Sequence, residues 1–183
     1  MNLAEMTALV ERYGALQHPM EVLHLIEFLE TKDPKLFIEV GVWRGGNAAI
    51  LKTCFPDARI IGVDLLTPDA PEISDHPSLR DAIDTFGIEL VSGPTDVTFP
   101  IVVDMIGDQK ADYLFIDAAH DYDSVKRDFE TWSPLARYVG FHDVHNPDVL
   151  RYWLELCQFM GAHARTAALW KDMDGHGIGV TQT

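Results

Sequence analysis

The sequence predicts an α/β fold: a doubly wound, Rossmann-like, mainly parallel sheet of seven strands, with helices on both faces and a C-terminal antiparallel strand. Three observations predict it. Short apolar runs that end in acids or glycines alternate with stretches of helical period, which is the pattern of βαβ units. Such units cross over right-handedly and bury a parallel sheet on both faces. The last two apolar runs have only a turn between them, too short for a crossover, so one of them must run antiparallel.

The elements follow in order. Leu3, Met6, Val10 and Tyr13 recur at helical spacing, and Gly14 follows as a stop. Pro19 suits a second helix start, with Val22, Leu25, Ile26 and Leu29 on one face. Residues 1–34 thus lead as helices into the core of one domain spanning 1–183. "KLFIEVG" (35–41) reads as a buried strand, "GGNAAILKTC" (45–54) as a helix opening on glycines, and "ARIIGVDL" (58–65) as the second strand. "TPDAPEISDH" (67–76) is rich in Pro and Asp and reads as a loop. "PSLRDAIDTFG" (77–87) is a helix with a glycine stop, and "IELVS" (88–92) a third strand.

The stretch 94–108 is divided: Pro94 and Pro100 interrupt it, while "IVVDMIG" can finish a helix. "DYLFID" (112–117) is the fourth strand. Tyr122, Val125, Phe129 and Trp132 mark one face of the next helix, with Pro134 just beyond. "YVGFHDV" (138–144) is the fifth strand. Leu150, Trp153, Leu154 and Cys157 give the face of a last helix between Pro147 and Gly161. The tail 164–183 reads as two strands around the turn 171–177.

Composition narrows the function classes. The 183 residues suit one domain with a sizeable core. Lys and Arg number 14 against 29 Asp and Glu, a formal charge of −15. Nucleic acid and anionic membranes reward clustered Lys and Arg, so neither is the expected partner. A small anionic ligand on helix N–H groups stays open. Cys54 and Cys157 lie far apart, as reduced thiols do. "MNLAEMTALVERYG" lacks the basic start and unbroken apolar core of a signal peptide. No apolar run approaches the roughly 20 residues of a membrane-spanning helix. The expected setting is cytoplasmic, and a homo-oligomer is compatible with it.

In open α/β sheets, ligands sit beyond the carboxyl ends of the strands. The first such end is "EVGVWRGGN" (39–47). Gly41 allows a sharp turn and a close ligand approach. Gly45 and Gly46 open a helix whose free N–H groups favour an anion. The spacing G-x-x-x-G-G is not the G-x-G-x-x-G of nicotinamide sites, and no Gly-Lys-Ser/Thr follows. Asp64 ends the second strand, where a carboxylate can accept both hydroxyls of a ribose. The plain structural alternative is that Gly41 and Gly45 only permit tight packing, with Asp64 capping a loop.

E-x-G-x-x-x-G after a first strand, followed by an acid ending the second, resembles the class I S-adenosylmethionine-dependent methyltransferases. "QHPMEVLHLIEFL" (17–29) resembles the lead-in helix of small-molecule O-methyltransferases. "IDAAHDYDSVKRDFETW" (116–132), followed by "GFHDV" (140–144), resembles a metal-dependent subgroup that methylates sugar and macrolide hydroxyls. The resemblance implies that Glu39, Gly41 and Gly45 hold the methionine part of the cofactor and Asp64 its ribose. Ser92 and Gly93 lie where the family contacts adenine. Two departures stand out: bulky Val42 and Trp43 in the glycine turn, and a chain short for a substrate-binding cap.

Asp117 and Asp143 end the fourth and fifth strands and are expected to converge. Converging carboxylates repel unless a proton or cation lies between them. Mg²⁺ is a natural occupant. The resembling subgroup carries two adjacent ligands at the second position, usually both acidic. Here they are His142 and Asp143, and the histidine tilts the preference toward Mn²⁺. The expected metal ligands are therefore Asp117, His142 and Asp143. Asp117 also borders the cofactor and, with His120, forms the catalytic pair. His120 stands where the subgroup carries its base, to take the proton of a small hydroxylated acceptor. A structural role for His120 and Asp121, with Asp123 as helix N-cap, is the alternative.

"HDVH" (142–145) also suits a non-haem iron triad, although strand alternation would put His142 opposite Asp143 and His145. The expected function is metal-assisted O-methyl transfer. Its rivals are a metal-free methyltransferase, a metal oxygenase or hydrolase on this scaffold, and a cofactor-binding module without turnover.

Overall fold

A computed structural model describes residues 1–66, 76–160, 167–168 and 176–183. Its sheet is founded on three apolar runs. Strand β1 (Leu36–Val40) is buried throughout, and β4 (Ala111–Ile116) nearly so. β2 (Arg59–Asp64) flanks β1 on one side; β5 (Ala136–Phe141) flanks β4 on the other. β3 (Glu89–Ser92) pairs outside β2. These five strands run parallel. β7 (Gly179–Gln182) lies antiparallel to β5.

Among the described residues, six strands of four or more residues carry the sheet, where seven strands were expected. The seventh place holds only the two-residue pairing of β6 (Ala167–Ala168) on β7. Alanine adds little to a pleated surface, which suits so short a pairing. The strand order is β3-β2-β1-β4-β5-β7-β6.

Strand alternation divides the core into two layers. Phe37, Ile60, Tyr113 and Phe115 face α1 (Leu3–Tyr13), α2 (Pro19–Glu30) and α3 (Gly46–Cys54). Ile38, Val40, Ile61, Leu114 and Phe141 face the opposite layer. There lie α5 (Thr95–Ile106), α6 (Tyr122–Trp132) and α7 (Pro147–Met160). α4 (Pro77–Phe86) packs beside α3 and stops at Gly87. Among the described residues, no helix is long and apolar enough to cross a membrane.

Four details differ from the sequence reading. The stretch 94–108 is helical despite Pro100, because Thr98, Val102 and Ile106 bury one stripe and outweigh one missing N–H. The last helix is rotated: Val149, Tyr152, Trp153 and Leu156 are buried, while Leu150 and Leu154 are exposed. The edge contacts of Tyr152 and Trp153 with Phe141 select that face. The cap of α6 is Asp121, which accepts from the Ser124 N–H, and not Asp123. β5 ends at Phe141, and Asp143 turns the chain with φ +56°. The loop predicted at 67–76 lies outside the described residues up to 75. So do Gly161 and most of the turn 171–177.

The ladder carries on one residue past the strand ends. The Asp117 N–H donates to the Val40 carbonyl (2.8 Å), and the His142 N–H to the Ile116 carbonyl (3.1 Å). Gly41, Asp117 and His142 therefore emerge side by side at one rim. Gly41 has φ +92°, and a Cβ there would lie 2.1 Å from the Asp117 carbonyl oxygen. Gly41→Ala should cost about 2–5 kcal/mol through backbone strain and overpacking. Gly14→Ala has the same class of φ but open space around it, and should cost about 1–2 kcal/mol. Urea unfolding of both variants checks this contrast.

Candidate active site

A cavity of about 1120 Å³ opens at this rim. The turn after β1 lines it with Glu39, Gly41, Val42, Trp43 and Asn47. Asp64 and Gly93 come from the ends of β2 and β3, Asp117 and His120 from β4, and His142, Asp143 and His145 from β5. Ser92, expected here, is exposed at the end of β3 and does not line the cavity.

Glu39 is buried at the end of β1. Its Oε1 accepts from Asn47 Nδ2 at 3.0 Å, while its Oε2 has no hydrogen-bond partner. Burial pushes its pKa up to about 8. A buried acceptor left open at a cavity wall fits a ligand that brings a cationic N–H donor. Asp64 is held by two backbone donors: Trp43 N–H on Oδ2 (2.7 Å) and Leu66 N–H on Oδ1 (3.1 Å).

The same bond explains how the turn tolerates its bulk. Trp43 has φ +48°, fixed by its bond to Asp64, and its ring lies 4.3 Å from the Arg44 guanidinium. Val42 is buried over Gly62, where a Cβ would meet it at 2.6 Å. Gly45 has φ +78°, and its missing side chain makes room for Ala82 of α4. Gly93 has φ +144° and donates its N–H to the Asp64 carbonyl at 2.9 Å.

The two carboxylates converge. Asp117 Oδ1 lies 3.2 Å from His142 Nδ1 and 3.5 Å from His120 Nε2. Asp143 Oδ2 lies 3.2 Å from the same His142 nitrogen and 2.9 Å from the same His120 nitrogen. Asp117, His120 and Asp143 place one ligand atom each within 4.8 Å of one another, close enough to hold a single cation. Because β5 ends at Phe141, the alternation expected for 142–145 does not apply, and His142 points to the carboxylates with Asp143. His142, expected as a ligand, and His145 both line the cavity but are not members of that group, in which His120 stands instead.

The charges answer one another. Burial opposes ionisation of Asp117, but hydrogen bonds from His120 and His142 hold its pKa lowered. The same contest, decided by the same two imidazoles, holds Asp143 well below the usual carboxylate range. Bonds to Asp117, then Asp143, raise His120 to about 10. Burial of His142 disfavours its charge, yet Asp117, Asp143 and Glu21 raise it to about 12.

Three members of the site had no functional signal in the sequence. Gln17 Nε2 donates to Asp117 Oδ2 at 2.7 Å. His176 Nδ1 lies 2.6 Å from Asp143 Oδ1. Glu21 is fully buried, with Oε2 3.6 Å from His142 Nε2 and Oε1 accepting from the Gly177 N–H at 2.6 Å. Glu21 follows His18 at the spacing of a capping box, which it also forms. That local pattern announces a helix start and gives no hint of a site.

A family profile described as a methyltransferase domain matches residues 38–146, more than half of the chain. The uncharacterized protein y4gI of Sinorhizobium fredii is 41% identical over 66 residues. That match takes in 32% of this chain and only 7% of that relative's length.

Solved structures share the fold at low identity. The O-methyltransferase TomG of Streptomyces achromogenes, in complex with S-adenosylmethionine, is 16% identical with a TM-score of 0.66, over 98% of this chain and 88% of that one. An O-methyltransferase from Bacillus cereus in complex with S-adenosylhomocysteine is 14% identical with a TM-score of 0.69, over 98% and 91%. MycE, the methyltransferase of the mycinamycin biosynthetic pathway, in complex with Mg, S-adenosylhomocysteine and mycinamycin VI, is 15% identical with a TM-score of 0.67. This chain is covered over 97% but spans only 54% of MycE. With the matched region running from β1 through the ends of β4 and β5, the chain belongs to the methyltransferase-domain family, among the class I S-adenosylmethionine-dependent methyltransferases.

Proposed function

We propose that the protein is an O-methyltransferase that moves a methyl group to a hydroxyl of a small molecule, assisted by a divalent cation at Asp117 and Asp143. The observation that carries this is the convergence of those carboxylates beside Gly41, in one cavity with His120 at its exposed face. The bound S-adenosylmethionine of TomG, and the Mg and S-adenosylhomocysteine of MycE, support the same assignment.

S-adenosylmethionine supplies an electrophilic methyl on a sulfonium; in-line displacement leaves S-adenosylhomocysteine, a methyl ether and one proton. The chain's own groups do the rest. Glu39 offers its open Oε2 to the cofactor's ammonium. Gly41 and Gly45 let the cofactor approach the backbone. Asp64, immobilised by Trp43 and Leu66, would accept from the ribose, and Gly93 would border the base. Asp117 reaches both the cofactor turn and the acceptor side.

A divalent cation held by the carboxylates, with His142 as third ligand, would lower the pKa of an acceptor hydroxyl. His120 then takes the proton. It cannot do so while its bonds to the two carboxylates keep it protonated. Balancing their charge must lower its pKa toward the ordinary 6.5.

A metal-free methyltransferase is the second reading, because His120 and His142 can already balance both carboxylates. Transfer unaffected by chelator and by Asp143→Ala would favour it. We read the setting as cytoplasmic, in keeping with two cysteines that stand far apart in the sequence.

Two experiments test this function. Calorimetry should show S-adenosylhomocysteine binding at micromolar strength, weakened about tenfold or more by Asp64→Ala, the loss of a charge-assisted hydrogen bond. No binding at millimolar cofactor would refute the assignment. In NMR titrations of chelator-treated protein, the His120 ring should stay protonated through pH 8 and become neutral there when a divalent cation is added. A His120 resonance that titrates identically with and without cation argues against a shared site.

A further inference from the structure

His142 follows β5 directly beside the two converging carboxylates, and its surroundings are built for an imidazole. The ring is buried, with Nδ1 3.2 Å from both Asp117 Oδ1 and Asp143 Oδ2. Those are hydrogen-bonding distances, and they hold Nδ1 against both carboxylates. The opposite nitrogen, Nε2, is buried without a hydrogen bond and faces Glu21 Oε2 at 3.6 Å.

Glu21 is itself fully buried and is fixed from two directions. The Gly177 N–H donates to Oε1 at 2.6 Å, and the His18 N–H donates to Oε2 at 3.1 Å. A histidine that ligates a metal commonly donates its other ring N–H to a carboxylate, which fixes the tautomer and makes the ligand more basic. Nitrogen donors shift a site away from Mg²⁺, which prefers oxygen, toward divalent ions of the first transition row.

We propose that Glu21 is a positioning residue that presents His142 Nδ1 as a nitrogen ligand to a cation shared with Asp117 and Asp143, so that the site takes Mn²⁺ or a similar transition ion in preference to Mg²⁺. This rests on the cation site proposed above. His120 reaches the same two carboxylates, and in this reading it serves as the acceptor's base while His142 supplies the nitrogen ligand.

The test is electron spin-echo spectroscopy of the full chain loaded with Mn²⁺, beside calorimetric titrations of Mn²⁺ and Mg²⁺. The wild type should show modulation from a directly coordinated ¹⁴N, retained in His120→Ala and lost in His142→Asp. Mn²⁺ should bind at least about tenfold tighter than Mg²⁺. Glu21→Gln should weaken Mn²⁺ by about 10–100-fold, as loss of an outer partner does. The wild-type spectrum needs no variant, so a folding defect in His142→Asp leaves the test intact.

Mn²⁺ bound without coordinated nitrogen overturns the proposal. So does nitrogen modulation that disappears in His120→Ala but survives in His142→Asp, or equal affinity for the two ions. If neither ion binds while S-adenosylhomocysteine binds normally, the cation site itself fails and metal-free transfer remains. If the cofactor does not bind either, the methyltransferase reading falls separately.

Discussion

Two like charges forced together are the constraint on which the rest of this structure depends. Asp117 and Asp143 come from neighbouring strands and share the same two imidazole nitrogens. Such a pair is costly to bury unless it is compensated. Compensation arrives from distant parts of the chain: Gln17 ahead of α2, His120 before α6, His142 after β5, and His176 before β7. Glu21 then balances the buried His142 from behind. The N-terminal helices and the C-terminal strand are thus tied into the site by charge as well as by packing.

The backbone imposes a second constraint at the same spot. Parallel pairing of β1 with β4 brings the Asp117 carbonyl against the α-carbon of Gly41, so the cofactor turn and the acidic centre share one contact. On the other flank, Trp43 and Asp64 fix each other through a single short hydrogen bond. A cofactor held by Glu39 and Asp64 would lie within one cavity of Asp117. Methyl transfer gains most from this kind of pre-set geometry, because the cofactor carries the reactivity and the protein mainly orients and desolvates.

How much of this was legible in the sequence depended on range. Helices whose stops are local, such as Gly14 after Tyr13 and Gly87 after Phe86, were readable from spacing alone. So were the strand ends that place Glu39, Asp64 and Asp117. Where tertiary packing decided, the sequence misled: Tyr152 and not Leu150 faces the core, because its ring meets Phe141 and Phe129. The end of β5 was misplaced because nothing in "GFHDV" announces a positive φ at Asp143. Glu21 and Gln17 were invisible as site residues, since their partners lie a hundred residues or more away. Their local pattern spoke only of a helix cap.

Fold and site together describe a methyltransferase domain whose acidic centre is lined with imidazoles. The claim that unites them is that one cavity holds the sulfonium cofactor and a cation side by side. A crystal structure of the chain grown with S-adenosylhomocysteine and Mn²⁺, with anomalous data at the manganese edge, tests it most directly. The account predicts cofactor sulfur beside Gly41 and an anomalous peak within ligand distance of Asp117 and Asp143. A bound cofactor with no peak between those carboxylates, or a cofactor lodged away from the Gly41 turn, would contradict it.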